Sequence, residues 1–325
     1  MGKVQNAVII VFGIYFYLIV AGNHSAAKTL ILPESTCSEQ GLSPLLVKGE
    51  DSIVVYKKNI IVHSDELKTE PQSAIEEFKP VEKPVVKKQG GFDLADVKKY
   101  LQGGKKAEAR NILSDLFLSK KNPEKQKEIQ ELLDTLNAEL IFSPLPSPDA
   151  TVYTVRAGDV LARIAKKYNT NYELIMRVND KSTTRLRIGE ELKIITGKTK
   201  ILVDKSDFTL TLLLNGYYVK QYKICTGKNN KTPVGVFEVK NKMKEPTWYS
   251  PEGGVFPYGH EENILGTRWI GLKDKPNLYG YGIHGTTQPE TIGTASSNGC
   301  IRMINSDVEE LYDFVTSDTE IIIQE

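Results

Sequence analysis

Short apolar runs, rich in β-branched and aromatic residues, dominate the chain beyond residue 200 and are typical of β-strands. These runs predict strands at residues 201–204, 208–214, 217–225 and 236–239. Asn215-Gly216, which separates two of the runs, is a strong hairpin signal. A helix is predicted at residues 306–316 and a last strand at 320–323. Residues 200–325 are therefore expected to form a mainly antiparallel β domain with little helix.

A different period, with apolar residues three and four positions apart, predicts helices over residues 92–142. Gly103 and Gly104 break the first helix, and Asn122 with Pro123 starts another. The pattern has features of tetratricopeptide repeats, but such repeats need about three copies to be stable. We therefore expect one helical hairpin, acting as a spacer or as a docking element. Residues 143–150 contain three prolines and are predicted to be a hinge.

Residues 151–196 follow the order strand, helix, helix, strand. Tyr153 and Val155 mark the first strand, and residues 188–194 run from a turn into the last one. Gly158 suits a sharp turn, and Asp159 is placed to cap the helix that follows. The pattern predicts a small βααβ module.

The N-terminus carries an uncharged stretch that follows Lys3 and is strongly apolar over residues 7–21. With the small residues around Ala27, it fits a secretory signal within residues 1–27. The same stretch is long enough to span a bilayer with its flanks, so an uncleaved anchor in the inner membrane is the alternative. Both interpretations place the rest of the protein in the cell envelope, in the periplasm or the wall. Residues 28–91 are a poorly defined segment and a Lys-, Glu- and Pro-rich linker.

The composition excludes several classes of protein. The 325 residues include 42 Lys and Arg against 41 Asp and Glu, so charge gives no reason to expect a nucleic-acid partner. Cys37, Cys225 and Cys300 fit no zinc-binding spacing and are too few for a disulfide-rich scaffold. Their odd number leaves at least one free thiol unless one pairs between chains. We interpret Cys37 as incidental and Cys225 as a small buried hydrophobe.

Cys300 and His284 are the candidate catalytic pair of the β domain. A cysteine attacks carbonyls as its thiolate, so it needs a nearby base or a lowered pKa. His284 precedes Gly285, where the backbone can approach closely. Gly299 frees the chain to present successive amides, the ingredients of an oxyanion hole. Arg302 adds a cation that would bind a substrate carboxylate or favour the thiolate.

The surroundings of these residues resemble the L,D-transpeptidase catalytic domain over essentially all of residues 200–325. The matching segments are Gly227-Lys228, Thr232-Pro233-x-Gly235-x-Phe237, Asn263-x-Leu265-Gly266, Ile283-His284-Gly285-Thr286 and Ser297-x-Gly299-Cys300-Ile301-Arg302-Met303 with Asn305. The spacing of sixteen positions between His284 and Cys300 is also that of the family. The resemblance implies an antiparallel sandwich with Cys300 as nucleophile and His284 as its activator. The Gly285 carbonyl would orient the imidazole, and amides near Gly299 and Cys300 would hold the oxyanion.

The implied substrate is the peptide stem of bacterial peptidoglycan, which would contact Arg302, Asn298, Ser297 and Thr286. Cys300 would form a thioester with the third stem residue and pass it to an amine of another stem, without metal or cofactor. Asn298 departs from the family, which commonly has His there. Water as acceptor would give an L,D-carboxypeptidase instead. A silent wall-binding protein and a cysteine hydrolase for another peptide are further alternatives.

The βααβ module resembles the lysin motif (LysM), a family that binds N-acetylglucosamine of glycan strands in a shallow groove between two loops. The matching residues are Tyr153-x-Val155-x-x-Gly158-Asp159-x-Leu161-x-x-Ile164-Ala165, then Asn179, then Gly189-x-x-Leu192-x-Ile194. The resemblance implies glycan contacts at Gly158, Asp159, Leu161 and Asn179. Val160 stands where the family usually has Thr or Ser. A glycan-binding module would raise the local concentration of the attached stems.

Overall fold

The computed structural model describes residues 7–12, 15–20 and 94–325 of the protein. The chain divides into two units, Met1–Pro84 and Val85–Glu325. In the first unit, strand β1 (Ala7–Phe12) pairs antiparallel with β2 (Tyr15–Val20). Among the described residues, no helix has the length and the apolar character needed to cross a membrane. The export signal or anchor stays a prediction, and residues 28–91 lie outside the described part of the chain.

The second unit begins with three helices, α1 (Leu94–Gln102), α2 (Lys106–Leu118) and α3 (Gln126–Leu140). The first helix ends before Gly103 and Gly104, as predicted, and Gly104 has a φ of +71° that favours glycine. A single turn of 3-10 helix, Pro123–Lys125, leads into α3. Leu113, Ile129 and Leu133 are fully buried between these helices and the rest of the unit. The expected hairpin is therefore a three-helix segment.

The βααβ prediction is confirmed. The module consists of β3 (Ala150–Thr154), α4 (Leu161–Lys167), α5 (Tyr172–Val178) and β4 (Glu191–Ile195), with β3 and β4 antiparallel. Its own core includes Ile164, Ile175 and Leu192. One detail of the prediction is wrong: Val160, not Asp159, is the residue before α4, and no side chain caps this helix. The Asp159 carboxylate instead accepts hydrogen bonds from the Tyr153 hydroxyl and the Arg156 amide, which close the preceding turn.

The C-terminal domain is mainly β, as predicted. Its elements are β5 (Thr199–Asp204), β6 (Thr209–Leu214), β7 (Tyr217–Gly227), β8 (Gly235–Lys244), β9 (Trp248–Tyr249), β10 (Val255–Phe256), β11 (Arg268–Leu272), β12 (Gly282–His284), β13 (Ala295–Ser297), β14 (Ile301–Met303), α6 (Asn305–Phe314) and β15 (Glu320–Gln324). Asn215 and Gly216 both have positive φ, as the predicted two-residue hairpin requires. Among the strands that the structure describes, β9 and β10 pair only with each other.

The other nine strands form one sheet in the order β13-β7-β14-β12-β11-β8-β15-β5-β6, and β6 also pairs with β7. The two longest strands, β7 and β8, each pair with different neighbours along their length. They therefore join two halves of a sheet that closes on itself. Most pairings are antiparallel, but β12–β14, β13–β7 and β15–β5 are parallel. Parallel neighbours need a long connection, and residues 285–300 supply one between β12 and β14.

Helix α6 covers one face of β11 and β12, and its Val308 and Leu311 share a core with Ile270 and Ile283. Side chains alternate between the two faces of a strand. Trp269 and His284, the neighbours of Ile270 and Ile283 in sequence, therefore lie on the face opposite to α6. This opposite face carries the candidate active site.

The helical segment docks onto a bulge in β7. The register against β6 shifts between Leu212 and Leu213, which leaves Val219 as an extra residue in β7. Asn137 of α3 donates hydrogen bonds to the carbonyls of Tyr218 and Val219, at 2.8 and 3.0 Å. Ser114 of α2 accepts one from the Tyr218 amide at 2.7 Å. The helices thus satisfy backbone groups that the bulge withdraws from the sheet.

The proline-rich segment between the helices and the βααβ module is held at both ends. Arg110 of α2 and Asp149 form a buried ion pair just before β3. The Lys193 ammonium of β4 donates hydrogen bonds to the carbonyls of Leu140 and Ser143, at 2.7 and 2.8 Å. The segment predicted as a hinge is therefore bridged by contacts between the elements that flank it.

Candidate active site and glycan groove

Four side chains form a row across the centre of the sheet, on the face opposite to α6. Trp269 pairs with His284, His284 with Arg302, and Arg302 with Cys225, across β11, β12, β14 and β7. Residues that pair directly between neighbouring strands point to the same face. Cys300 precedes Arg302 by two positions and so continues on this face. The parallel pairing of β12 with β14 is what brings His284 and Cys300 to one site.

Cys300 lies in the loop that enters β14 and is half-buried. Its thiol accepts a hydrogen bond from the Gly282 amide, and it also lies 3.7 Å from the Gly280 carbonyl. Burial raises the pKa of the Cys300 thiol, while the Gly282 amide and the Arg302 cation act to lower it. At neutral pH the resting group is therefore the thiol, and its attack needs a base.

His284 is 2% exposed and stacks on Trp269, with ring centroids 5.8 Å apart. Its Nδ1 donates a hydrogen bond of 2.6 Å to the Gly285 carbonyl. Because a carbonyl only accepts, Nδ1 carries the proton of the neutral ring and Nε2 is left as the basic nitrogen. Burial lowers the pKa of His284 to about 4, and the Arg302 charge acts in the same direction. The imidazole is therefore neutral at physiological pH.

The loop before Cys300 is fixed by short-range and long-range hydrogen bonds. The Ser297 hydroxyl donates to the Cys300 carbonyl at 2.6 Å and accepts from the Gly299 amide at 3.1 Å. The Thr232 hydroxyl donates to the Gly299 carbonyl. Gly299 has a φ of +136°, and a Cβ on it would lie 2.8 Å from the Tyr281 ring. The Gly299 amide thus donates to Ser297 here, and its expected part in an oxyanion hole, with the amide of Cys300, stays a prediction.

Asn305, the first residue of α6, connects the end of β12, the strand of His284, to the start of β11. Its Oδ1 accepts hydrogen bonds from the Thr286 amide at 3.1 Å and from the Thr267 amide at 3.2 Å, and its Nδ2 donates to the Thr286 carbonyl at 3.1 Å. A Cβ on Gly285 would collide with Asn305 Oδ1. Thr286 is therefore buried in a scaffold behind the imidazole, and its hydroxyl accepts from the Gln288 amide.

Arg302 is the buried cation of the site, at 8% exposure. Its Nη1 donates a hydrogen bond of 3.0 Å to Gln288 Oε1. Within the described part of the chain, its buried Nε has no hydrogen-bond partner. Buried polar atoms usually find a partner, so this Nε is an exception within the site. Asn298, by contrast, is exposed beside the loop of Cys300.

The two loops of the βααβ module enclose a groove of about 440 Å³. Residues that line it include Asp159, Leu161, Tyr172 and Thr184. Gly158 is exposed beside the groove in a turn with a φ of +83°. Of the predicted glycan-binding residues, Asp159 and Leu161 thus lie in the groove wall.

Asn179 is not part of the groove lining. Its Nδ2 donates hydrogen bonds of 2.8 Å to the carbonyls of Ile175 and Lys193, and its Oδ1 accepts one of 2.8 Å from the Lys193 amide. The side chain therefore fastens the end of α5 to β4. The groove residues that the motif did not indicate are Val160, Ala162, Tyr172, Thr184, Arg185 and Leu186.

Comparison with known proteins agrees with this division of the chain. Residues 198–323 match the family model of the L,D-transpeptidase catalytic domain, and residues 153–194 match that of the LysM domain. The chain is 34% identical over 178 residues to the putative L,D-transpeptidase YkuD of Bacillus subtilis (strain 168), covering 53% of this chain and 97% of that protein. The chain belongs to the L,D-transpeptidase family.

Two further matches cover single domains of this L,D-transpeptidase family member. The N-acetylmuramoyl-L-alanine amidase sle1 of Staphylococcus epidermidis (strain ATCC 35984) is 48% identical over 44 residues, or 14% of each chain. The NMR structure of the catalytic domain from the E. faecium L,D-transpeptidase is 26% identical, with a TM-score of 0.32, covering 40% of this chain and 98% of that one.

Two contributors to the L,D-transpeptidase site lacked a functional signal of their own in the sequence. Trp269 is one of only two tryptophans, but nothing local indicated that it would stack on His284. Gln288 lies in a loop and meets Arg302 only through the fold. Both contacts join segments that are separated along the chain, so no spacing rule predicts them.

Proposed function

We propose that this protein is a peptidoglycan L,D-transpeptidase in which Cys300 is the nucleophile and His284 is its general base. The observation that carries the proposal is the shared sheet face, on which a half-buried thiol, a buried, neutral imidazole and a buried guanidinium are brought together. A cysteine and a histidine that only stabilised the fold would not need to share one sheet face with a buried guanidinium. The matched family supports the same reaction class.

In the first half-reaction, His284 Nε2 takes the proton of the Cys300 thiol as the sulfur attacks the carbonyl carbon of the third stem residue. The amide of Cys300 is the candidate donor to the oxyanion that forms. When this intermediate collapses, the carbon–nitrogen bond to the terminal D-alanine breaks, and the imidazolium returns its proton to the departing amine. A thioester on Cys300 remains.

In the second half-reaction, an amine of another stem attacks the thioester, loses a proton to His284 and releases Cys300 as a thiol. The product is a cross-link between two stems. Water in place of the amine would give an L,D-carboxypeptidase, which remains the alternative. Arg302 contributes a buried positive charge to this face, which favours a carboxylate of the stem nearby.

The LysM groove is proposed to hold the glycan strand to which the stems are attached, which raises the stem concentration near Cys300. Substrate of this kind lies outside the cytoplasm, and the apolar N-terminal stretch is proposed to direct export or anchoring. A reporter that is active only in an external, oxidising compartment, fused after Glu325, tests export. Activity of a cytoplasm-only reporter would contradict it.

The decisive experiment incubates tetrapeptide muropeptides with each variant and analyses products and protein by mass spectrometry. Cys300→Ala is expected to abolish both the covalent adduct and all products. His284→Gln is expected to slow acylation by about 10²–10⁴-fold, the usual contribution of a positioned general base. Cys225→Ala is the matched control, because this thiol is fully buried, and it is expected to retain the rate.

An adduct that persists in Cys300→Ala, or that forms on Cys225, would disprove the assignment of the nucleophile. Tripeptide without dimer would leave the site intact and change the activity to that of a carboxypeptidase. Complete absence of adduct in the unaltered protein would favour a silent wall-binding protein.

A further inference from the structure

The LysM domain is docked onto the catalytic domain by specific polar contacts. Arg177 of α5 forms an ion pair with Asp313 of α6 at 2.7 Å. Asn171 donates hydrogen bonds to the carbonyls of Asp313 and Val315, at 2.7 and 2.8 Å. Glu173 pairs with Lys244 of β8. Asp313 is buried, Asn171 and Arg177 are half-buried, and Lys244 is exposed. These polar contacts connect the LysM domain to both α6 and β8 of the catalytic domain.

A crevice of about 480 Å³ lies along this interface. One wall comes from α4, α5 and their connection in the LysM domain, and the other comes from Lys242 and residues 312–317 of the catalytic domain. Ala162 and Tyr172 line both this crevice and the LysM groove. The two depressions therefore adjoin at these two residues, with volumes of about 480 and 440 Å³.

The crevice offers the chemistry that binds a neutral amino-sugar polymer. Tyr172 contributes an aromatic ring at the junction of the two depressions, and its hydroxyl accepts a hydrogen bond of 3.2 Å from Lys244. Thr170, Ser317 and Lys166 line the crevice, and their side chains form no hydrogen bond or ion pair with any other residue that the structure describes. Their donors and acceptors are thus available to hydroxyl and acetamido groups.

Lys242, by contrast, is already committed to the protein. Its ammonium donates hydrogen bonds to the carbonyls of Tyr312 and Val315, at the end of α6, and lies 4.0 Å from the centre of the Tyr312 ring. Burial lowers the pKa of Lys242 to about 8. This lysine therefore forms part of the crevice lining and stabilises the end of α6, and its ammonium is not available to a ligand.

We propose that the glycan strand bound in the LysM groove continues into this crevice, so that the catalytic domain supplies the second half of one glycan site. The inference rests on the proposed glycan binding by the LysM domain and extends it to a composite site. Its consequence is that a bound strand has a fixed direction relative to the catalytic domain, which a LysM domain on a free linker would not impose.

The test measures binding of the full chain to β-1,4-linked oligomers of N-acetylglucosamine of increasing length by titration calorimetry. Ser317→Trp fills the crevice from an exposed position of the catalytic domain, away from the LysM groove and from Cys300. Ser119→Trp, at an exposed serine after α2, is the matched control. Lys166→Ala is a milder second variant in the opposite wall.

The unaltered protein is expected to bind long oligomers more tightly than short ones. Ser317→Trp is expected to lose roughly ten-fold in affinity for long oligomers, the equivalent of a few hydrogen bonds, and to bind short ones unchanged. Lys166→Ala is expected to lose part of the extra affinity for long oligomers, and Ser119→Trp is expected to lose none of it.

If affinity still increased with oligomer length in both Ser317→Trp and Lys166→Ala, the composite site would be overturned. The proposal for the LysM groove would stand. Binding that does not increase with length in the unaltered protein would also overturn the composite site. Failure of the unaltered protein to bind any oligomer would instead refute the proposed glycan binding itself, and the composite site with it.

Discussion

The hydroxyl of Thr232 donates a hydrogen bond of 2.8 Å to the carbonyl of Gly299, 67 positions further along the chain. The same oxygen accepts from the Gly227 amide at 2.7 Å. Gly227 has no room for a side chain, since a Cβ would lie 2.9 Å from the Gly299 Cα. A buried threonine thus joins the end of β7 to the loop that presents Cys300. The family segment that begins with Thr232-Pro233 contacts the loop of the candidate nucleophile at this point.

Thr232→Val is expected to reduce the rate of Cys300 acylation by roughly ten-fold. It keeps the shape of the side chain but leaves the Gly227 amide and the Gly299 carbonyl unpaired, at a cost of about 1–3 kcal/mol for each buried group. Thr232→Ser restores the hydroxyl and is expected to retain most of the rate. The measurement is the rate of adduct formation with a β-lactam acyl probe, followed by mass spectrometry. Equal rates for the two variants would contradict a role for the hydrogen bond.

The charge of Arg302 is expected to be visible in the pH dependence of Cys300. The thiol pKa is raised by burial and lowered by the Gly282 amide and by Arg302, so Arg302→Gln should raise it further. Alkylation of Cys300 by iodoacetamide, mapped by mass spectrometry between neutral and alkaline pH, measures this pKa. Arg302→Lys preserves the charge and is the control. If the alkylation rate of Arg302→Gln rose at the same pH as that of the unaltered protein, an effect of the Arg302 charge on the thiol pKa would be excluded.

The Arg302→Gln substitution should also raise the pKa of His284. Burial first and the Arg302 cation second hold the pKa of His284 at about 4 in the unaltered protein. The general base is neutral above this pKa, so kcat/KM should decline only as the pH falls through about 4. Removing the cation in Arg302→Gln should move this acid limb to higher pH. If kcat/KM of the unaltered protein instead fell at a pH near the ordinary pKa of histidine, the result would contradict a buried, neutral imidazole.

The docking of the helical segment is expected to contribute to the stability of the catalytic domain. Asn137→Ala leaves the carbonyls of Tyr218 and Val219 without their donor, and should lower the free energy of unfolding by about 1–3 kcal/mol. Thr135→Ala on the same helix removes an exposed hydrogen bond to Glu131 and should be nearly neutral. Urea unfolding of the full chain compares the two. Similar midpoints for both variants would mean that the helices are only a spacer.

The LysM motif residues are expected to separate into structural and glycan-binding groups. Asn179→Ala should lower the melting temperature, because the Lys193 amide and two carbonyls lose their partner. Val160→Asp, in the groove, should weaken retention on insoluble peptidoglycan without changing the melting temperature. Ile188→Asp alters an exposed isoleucine outside the groove lining and is the matched control. Retention that survives in Val160→Asp would mean that the groove does not bind the wall.

The sequence alone determined the local elements and indicated the candidate reactive residues. The Asn215-Gly216 hairpin, the break at Gly103 and the βααβ order follow from turn chemistry and periodicity, which are set by residues within a few positions of each other. The motifs around Cys300 and His284 gave the candidate pair because the chemistry needs those residue types, whatever the surrounding fold.

Only the tertiary structure decided how those residues are supported. Asp159 closes a turn where local pattern predicted a helix cap, and the Gly299 amide is taken by Ser297. The parallel pairing of β12 with β14, the stacking of Trp269 on His284 and the docking of the LysM domain onto α6 all join distant parts of the chain. Such contacts depend on which surfaces the whole chain buries together, and no short stretch of sequence contains that information.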